Sequence, residues 1–372
     1  VRVRLCHHLD ARVSNRTAAG DPRVGAGISG QVLQPVAHAT TDAGAHVFHH
    51  RAPHSGMELA CAANLVARLA GTPATPVRHL TLDPMHATTT LILDASPTTP
   101  LEVDVHAVYA DARHHPAEAL MLAVTDELEA WTSADAFDGL LSEQRADLDA
   151  FWHHADIEIE GDPAATQSDR FALFHLYQGA GRDGRTNLPA KALTGEGYEG
   201  HTFWDTEIYL LPTLLHLHPE LARALLTYRI HLLDAARARA RELGHEGALY
   251  PWRTIDGPEA SAYFPAGTAQ LHINADIVHA FARYLGATED TSILWDGGAA
   301  VATEVARFFV HAGHTGRDGA FHLHTVTGPD EYTALVDDNH YTNRMAQFAL
   351  RFAADTVDAM RRDDPGRFET LA

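Results

Sequence analysis

Hydrophobic and polar positions follow two different periods along this chain. Near the start they alternate by two: Val1, Val3 and Leu5 are separated by Arg2 and Arg4. Further on, Leu101, Val103, Val105 and Tyr109 share a face opposite Glu102, Asp104 and His106. Residues 77–82 and 88–93 read as two more short strands, and clusters of Gly, Pro, Asp and Thr separate them. Short alternating runs with turn signals between them predict antiparallel strands stacked as a sandwich.

The period then changes. Leu120, Leu122, Val124, Leu128 and Trp131 lie in an Ala- and Glu-rich stretch. Leu140, Leu141, Leu148, Phe151 and Trp152 follow, after a predicted break at Asp135-Ala136-Phe137-Asp138-Gly139. Beyond residue 160 the spacing stays helical. One helix carries Phe171, Phe174, His175 and Gln178, and an apolar segment runs over 203–217. Pro219 is placed to start a helix that Gly244 would end. Residues 272–284, 302–312 and 341–360 complete the helical pattern. No strand alternates with these helices, which argues against a βαβ sheet. The predicted organisation is a β-sandwich domain at 1–115, a helical linker at 116–160 and a helical domain at 161–372. Long helices with long loops between them fit a toroid of helix pairs whose loops build a site at one end.

Composition narrows the partners. The chain has 372 residues, with 28 Lys plus Arg against 49 Asp plus Glu, a formal net charge of −21. So acidic a surface is a poor match for nucleic acid or an anionic membrane and suits neutral substrates. Two cysteines, Cys6 and Cys61, provide neither a disulfide framework nor a Cys-based metal site. They point to a reducing, cytoplasmic setting. The 27 histidines include several pairs, but their spacing matches no metal-ligand pattern, and a compositional bias accounts for them. No apolar run approaches a membrane span. The sequon Asn15-Arg16-Thr17 is read as incidental. The first residues read as the middle of a strand and the last ones end without a cap, so the chain is expected to be a fragment cut at both ends.

The stretch richest in chemistry is Gly328-Pro329-Asp330-Glu331-Tyr332. Gly-Pro fixes a turn, and a carboxylate held on it can be aimed into a cleft. A well-placed acid that protonates a leaving oxygen is what glycosidic cleavage requires; a solvated acidic turn is the plainer reading of the same residues. In a second stretch, Gly195, Gly197 and Gly200 formally match GxGxxG, but a polar loop precedes them where a dinucleotide site needs a strand. Trp204-Asp205 reads better as a sugar platform: an indole to stack on the ring's C–H face and a carboxylate to accept from its hydroxyls. A helix start with a buried Trp is the alternative. Trp252 and Arg253, then His272 and Asn274 at a helix start, add aromatic, cationic and amide groups. There is no GxSxG elbow and no phosphate-binding P-loop.

Taken together, residues 188–207, 250–253, 266–276, 328–332 and 339–343 resemble glycoside hydrolase family 65, the inverting α-glucosyl disaccharide phosphorylases, in order and spacing. Residues 9–15 and 20–23 look like the family's β-domain, so the resemblance covers nearly the whole chain. It implies an N-terminal β-super-sandwich, a helical linker and the first part of an (α/α)6 barrel. It puts the general acid at Glu331. It puts Trp204 and Asp205 in the subsite that holds the glucosyl ring, and Trp252, Arg253, His272, Asn274 and Tyr332 complete the candidate substrate-binding set. It implies transfer of a glucosyl unit to inorganic phosphate with inversion, giving β-glucose 1-phosphate. Phosphate is itself a nucleophile, so no second carboxylate has to activate water. The partners implied are the disaccharide and inorganic phosphate as co-substrate, with no cofactor and no metal. The residues 261–270 look more like the trehalose, kojibiose or nigerose enzymes than the maltose enzyme. The family's phosphate-binding loop falls downstream of Ala372. An inverting hydrolase of the same fold and an inactive carbohydrate-binding fragment stay open as alternatives. A homodimer is allowed, and the sequence does not decide it.

Overall fold

The computed structural model describes residues 1–14, 31–53, 55–132, 136–195, 197–261 and 264–371. The sequon and residues 20–23 lie outside them, as do Asp135 and residues 262–263 of the long loop. The described residues form two compact units, one ending at Ala150 and one beginning at Phe151.

The first unit holds β1 (Arg2–Asp10), β2 (Gln34–Thr40), β3 (His46–Arg51), β4 (Glu58–Leu69), β5 (Thr72–Pro73), β6 (Val77–Leu82), β7 (His86–Asp94) and β8 (Leu101–Asp111). They form two antiparallel sheets, β1-β7-β6 and β2-β3-β4 with β8 and β5 on β4. Leu65 and Ala67 of β4 pack with Leu91 and Leu93 of β7 and with Leu5 of β1, which joins the sheets as a sandwich. The other face of the larger sheet, through Val47, Ala60 and Ala62, is covered by Leu120, Val124 and Leu128 of α1 (Leu120–Ala130).

Two expectations shift here. The predicted apolar face of residues 101–109 does form, and register puts Val105 beside Leu65. Yet Val105 and Tyr109 are 56% and 67% exposed. Among the described residues β8 pairs with β4 alone, so it lies at the sheet's margin. The break predicted at 135–139 falls earlier, because residues from Ala136 already belong to α2 (Ala136–Ala155). Asp138 sits in that helix's first turn, where its charge suits the positive end of the helix dipole.

The second unit is helical: α3 (Pro163–Gly179), α4 (Leu211–Leu217), α5 (Pro219–His231), α6 (Leu233–Glu242), a single turn α7 (Pro265–Thr268), α8 (His272–Thr288), α9 (Ala299–Ala312), α10 (His340–Asp363) and α11 (Pro365–Leu371). The short β9 (His314–Thr315) and β10 (Phe321–His322) pair as a hairpin. Asp162 caps α3 by accepting from Ala165 N at 2.9 Å, and Pro163 opens it. The helix expected over 219–244 is interrupted at Leu232, and Gly244 follows it at φ 77°, the left-handed geometry a glycine terminator supplies. α8 is the core element: every residue of its first two turns, from His272 to Val278, is buried. It packs against α4, α5, α9 and α10. Long loops before α4, between α6 and α8, and before α10 reach the region described next.

Candidate active site

The residues around Trp204 are braced twice. Thr202 and Thr254 pair as an isolated bridge, Thr202 N donating to Thr254 O at 2.8 Å and Thr254 N to Thr202 O at 3.3 Å. This brings the Trp204 and Trp252 segments side by side. After Asp205 the chain makes a π-helical turn, Thr206–Leu210, into α4. Arg229 of α5, 1% exposed, donates from Nε and Nη2 to both oxygens of Glu207 at 2.7 and 2.9 Å. The same Nη2 reaches the Phe203 carbonyl at 3.3 Å. The guanidinium fork thus holds the backbone on both sides of Trp204-Asp205. Trp252 is set by Glu259, whose Oε2 accepts from its N at 2.8 Å. Gly267 allows close packing, since a Cβ there would lie 2.6 Å from the Trp252 ring.

The acid stretch is a loop whose base is buried and whose tip is exposed. Val326 and Val336 bridge its two arms at 2.9 Å. Thr327 ties it to the turn before α8: its N donates to Ala269 O at 2.9 Å and its Oγ1 to Pro265 O at 2.8 Å. Gly328 lets the Asn339 side chain approach closely, since a Cβ there would lie 2.7 Å from its Nδ2. Asp330 is taken up by the turn: it accepts from Thr333 N at 3.2 Å and Thr333 Oγ1 at 3.0 Å, and the Thr333 amide lowers its pKa. Glu331 stands at φ 59°, as Thr325, Leu335 and Asp338 also adopt left-handed backbone. Its Oε1 accepts from Gln270 Nε2 at 3.0 Å.

Latches close the base of this loop. His322 Nδ1 lies 2.7 Å from Asp338 Oδ2 and its Nε2 3.2 Å from Asp318 Oδ1. These carboxylates, Asp338 first, raise the His322 pKa. Asp338 in turn is held down to about 2 by His322 and Asn343. Asp337 accepts from Thr325 N at 3.1 Å and pairs with His324 at 3.0 Å.

These elements enclose a cavity of about 540 Å³ lined by Trp204, Asp205, Trp252, Tyr198, Tyr209 and Glu331, among others. Asp205 is open to it, while protein surrounds the carboxyl on its other sides, and that desolvation raises its pKa. A somewhat larger groove of about 640 Å³ runs between α9 and α10 past Val310, Leu350 and Val357. Its lining carries no Phe, Tyr or Trp, whereas the smaller cavity sets Trp and Tyr rings beside Asp205 and Glu331. Among the described residues no group of three or more His, Cys, Asp or Glu is arranged to hold a metal.

The other candidates lie away from the lining. His272 and Asn274 are fully buried. His272 Nδ1 lies 2.7 Å from Asp276 Oδ2, and Asp276 Oδ1 accepts from Tyr341 OH at 2.8 Å. The His272 ring meets Trp204 edge-on at 4.9 Å, so this chain of bonds backs the platform. Burial, reinforced by Asp276, pushes the Tyr341 phenol up. Asn274 Oδ1 accepts from Tyr250 N at 2.8 Å and ties α8 to the Trp252 loop. Arg253, 3% exposed, is ion-paired with Glu199. Tyr332 is 97% exposed at the loop tip and does not line the cavity. Sequence reading passed over Arg229, Glu207, Glu259 and Gln270. A charged residue inside a helical run is the one local signal Arg229 and Glu207 offer, while Glu259 and Gln270 lie in loops and offer none.

Residues 170–370 match the glycosyl hydrolase family 65 central catalytic domain, and residues 1–151 match the family's N-terminal domain. The α,α-trehalose phosphorylase of Thermoanaerobacter brockii is 43% identical over 100% of this chain and 48% of its own. That of Geobacillus stearothermophilus is 48% identical over 71% of this chain and 34% of its own. The kojibiose phosphorylase of Halothermothrix orenii is 38% identical over 63% of this chain and 32% of its own. A solved structure from the human microbiome, provisionally named a kojibiose phosphorylase, superposes with a TM-score of 0.80 at 22% identity. It covers 99% of this chain and 48% of its own, and it shows the fold. The chain spans about half the length of the curated relatives it matches over its full extent.

Proposed function

The chain belongs to glycosyl hydrolase family 65, and from that premise we propose that it carries the proton donor and sugar platform of an inverting phosphorylase of α-linked glucosyl disaccharides. The observation that carries this reading is the shared cavity: Glu331 opens onto the same space as Trp204, Asp205 and Trp252. Trp204 offers an indole face to the glucosyl ring and Asp205 accepts from its hydroxyls. Glu331 protonates the glycosidic oxygen, and inorganic phosphate attacks the anomeric carbon from the opposite side, giving β-glucose 1-phosphate. Asp330, held within its turn, has no role in proton transfer. A trehalose-, kojibiose- or nigerose-type disaccharide fits better than maltose, and the named activities of the relatives support that order.

The test is made on the complete protein. Glucose 1-phosphate should form from disaccharide in proportion to added phosphate. Glu331→Gln should lower turnover by about 10²- to 10⁴-fold with the fold intact. Glucose release that needs no phosphate, or a Glu331→Gln variant within about tenfold of wild type, would overturn the reading.

A further inference from the structure

Gln270 follows α7 and is 3% exposed. Its Nε2 donates to the Ala266 carbonyl at 2.8 Å and to Glu331 Oε1 at 3.0 Å, so both N–H bonds of the amide are engaged. A carbonyl oxygen accepts only. Rotating the amide by half a turn would set two acceptors face to face at Ala266, and its orientation is therefore fixed. The fixed orientation leaves Gln270 Oε1 buried without a hydrogen-bond partner. An unsatisfied buried acceptor is destabilising, and one that persists in a native fold calls for a reason. The neighbouring residues hold the same loop: Pro265 O and Ala269 O both accept from Thr327. One turn of chain thus sets both the backbone of the acid loop and the carboxyl it carries.

We propose that Gln270 is the positioning residue of the acid, engaging Glu331 Oε1 so that the transferable proton resides on Oε2. This rests on Glu331 being the proton donor. In the reaction, Oε2 gives its proton to the glycosidic oxygen, and the bond from C1 to that oxygen breaks with its electron pair moving to the oxygen. An oxygen of inorganic phosphate supplies the pair for the new bond to C1. The products are glucosyl phosphate and the released sugar. The carboxylate left on Glu331 keeps the Gln270 hydrogen bond, which grows stronger as negative charge develops.

The experiment compares two substrates in the complete enzyme: the disaccharide it turns over fastest, and an aryl α-glucoside whose leaving group departs without a proton. Gln270→Met should lower kcat on the disaccharide by about 10- to 100-fold with little change in KM, and lose only about threefold on the aryl glucoside. Gln270→Glu, which keeps the size and replaces the N–H donor, should give the same pattern and serves if the Met variant does not fold. Added to Glu331→Gln, either change should cause no further loss. Folded Gln270 variants with kcat within about twofold of wild type, or with equal losses on both substrates, would overturn the proposal. Glu331→Gln distinguishes the two failures: an inactive Glu331→Gln beside a normal Gln270→Met removes Gln270 alone, and an active Glu331→Gln removes the acid assignment itself.

Discussion

Trp204 and Glu331 face one cavity from supports of opposite kinds. Trp204 is 7% exposed, and the Arg229–Glu207 pair that clamps its backbone is buried at 1% on each side. Glu331 rides an exposed loop with left-handed backbone at several non-glycine positions, closed at its base by polar latches. The platform is fixed by the core, whereas the acid loop is anchored by buried residues, Thr327 and Gln270, and closed by a His322–Asp338 latch that water can reach. With the roles proposed for them, substrate binding and proton transfer should therefore fail under different perturbations.

Perturbing each support separates them, and the largest effect is expected from the buried one. Arg229→Ala leaves Glu207 as an unpaired charge in the core and should destabilise the fold by about 3–5 kcal/mol, read as a lower melting temperature. Replacing both partners with apolar residues of similar size should recover most of that loss. A single variant that melts like wild type would show that the clamp is not what holds the platform. Next in size on binding, Trp204→Ala should weaken disaccharide affinity by about 1–3 kcal/mol in calorimetry on the folded variant, and because the ring is buried it should also lower the melting temperature. Unchanged affinity would return Trp204 to a purely structural role.

The acid loop should answer to pH instead. Asp338 and Asp318 face His322 and raise its pKa, with His314 and His324 stacked nearby. A raised folded-state value means that the latch contributes fully below the unfolded histidine value of about 6.5 and is lost as pH rises through the folded value. Turnover should fall on the alkaline side, and His322→Gln should flatten that limb while leaving disaccharide affinity unchanged. An alkaline limb identical in the variant would assign the dependence to another group. The smallest effect is expected from Asp330→Asn: turnover within about threefold of wild type, since the side chain only closes its own turn.

How much of this was legible in the sequence follows from how local each signal is. β6 was readable because a short stretch with Val77, Leu80 and Leu82 is bounded by turn residues, and helices such as α9 because one face is apolar. β4 was not: it is buried along nearly its whole length, and its Ala-rich run with Glu58, Asn64 and Arg68 inside shows no alternation. Trp204, Asp205 and Glu331 stood out through residue type next to a turn. Gln270 did not, because its meaning depends on a carboxylate 61 positions away. His272 and Asn274 carried the right chemistry in the sequence, yet their first contacts are Asp276 and Tyr250, one layer behind the cavity. Tyr332 adjoins the acid, but a one-residue step around a tight turn reverses direction and leaves it in solvent.

The left-handed backbone at Glu331 sets up an opposition between durability and use. Glycine is the residue that would relax φ 59° without penalty, and a side chain there costs about 1 kcal/mol. At this position the substitution that eases the backbone also removes the carboxyl. Selection for robustness alone would therefore drift toward a disarmed protein at this position, and a stabilised variant of this chain has to find its gain elsewhere.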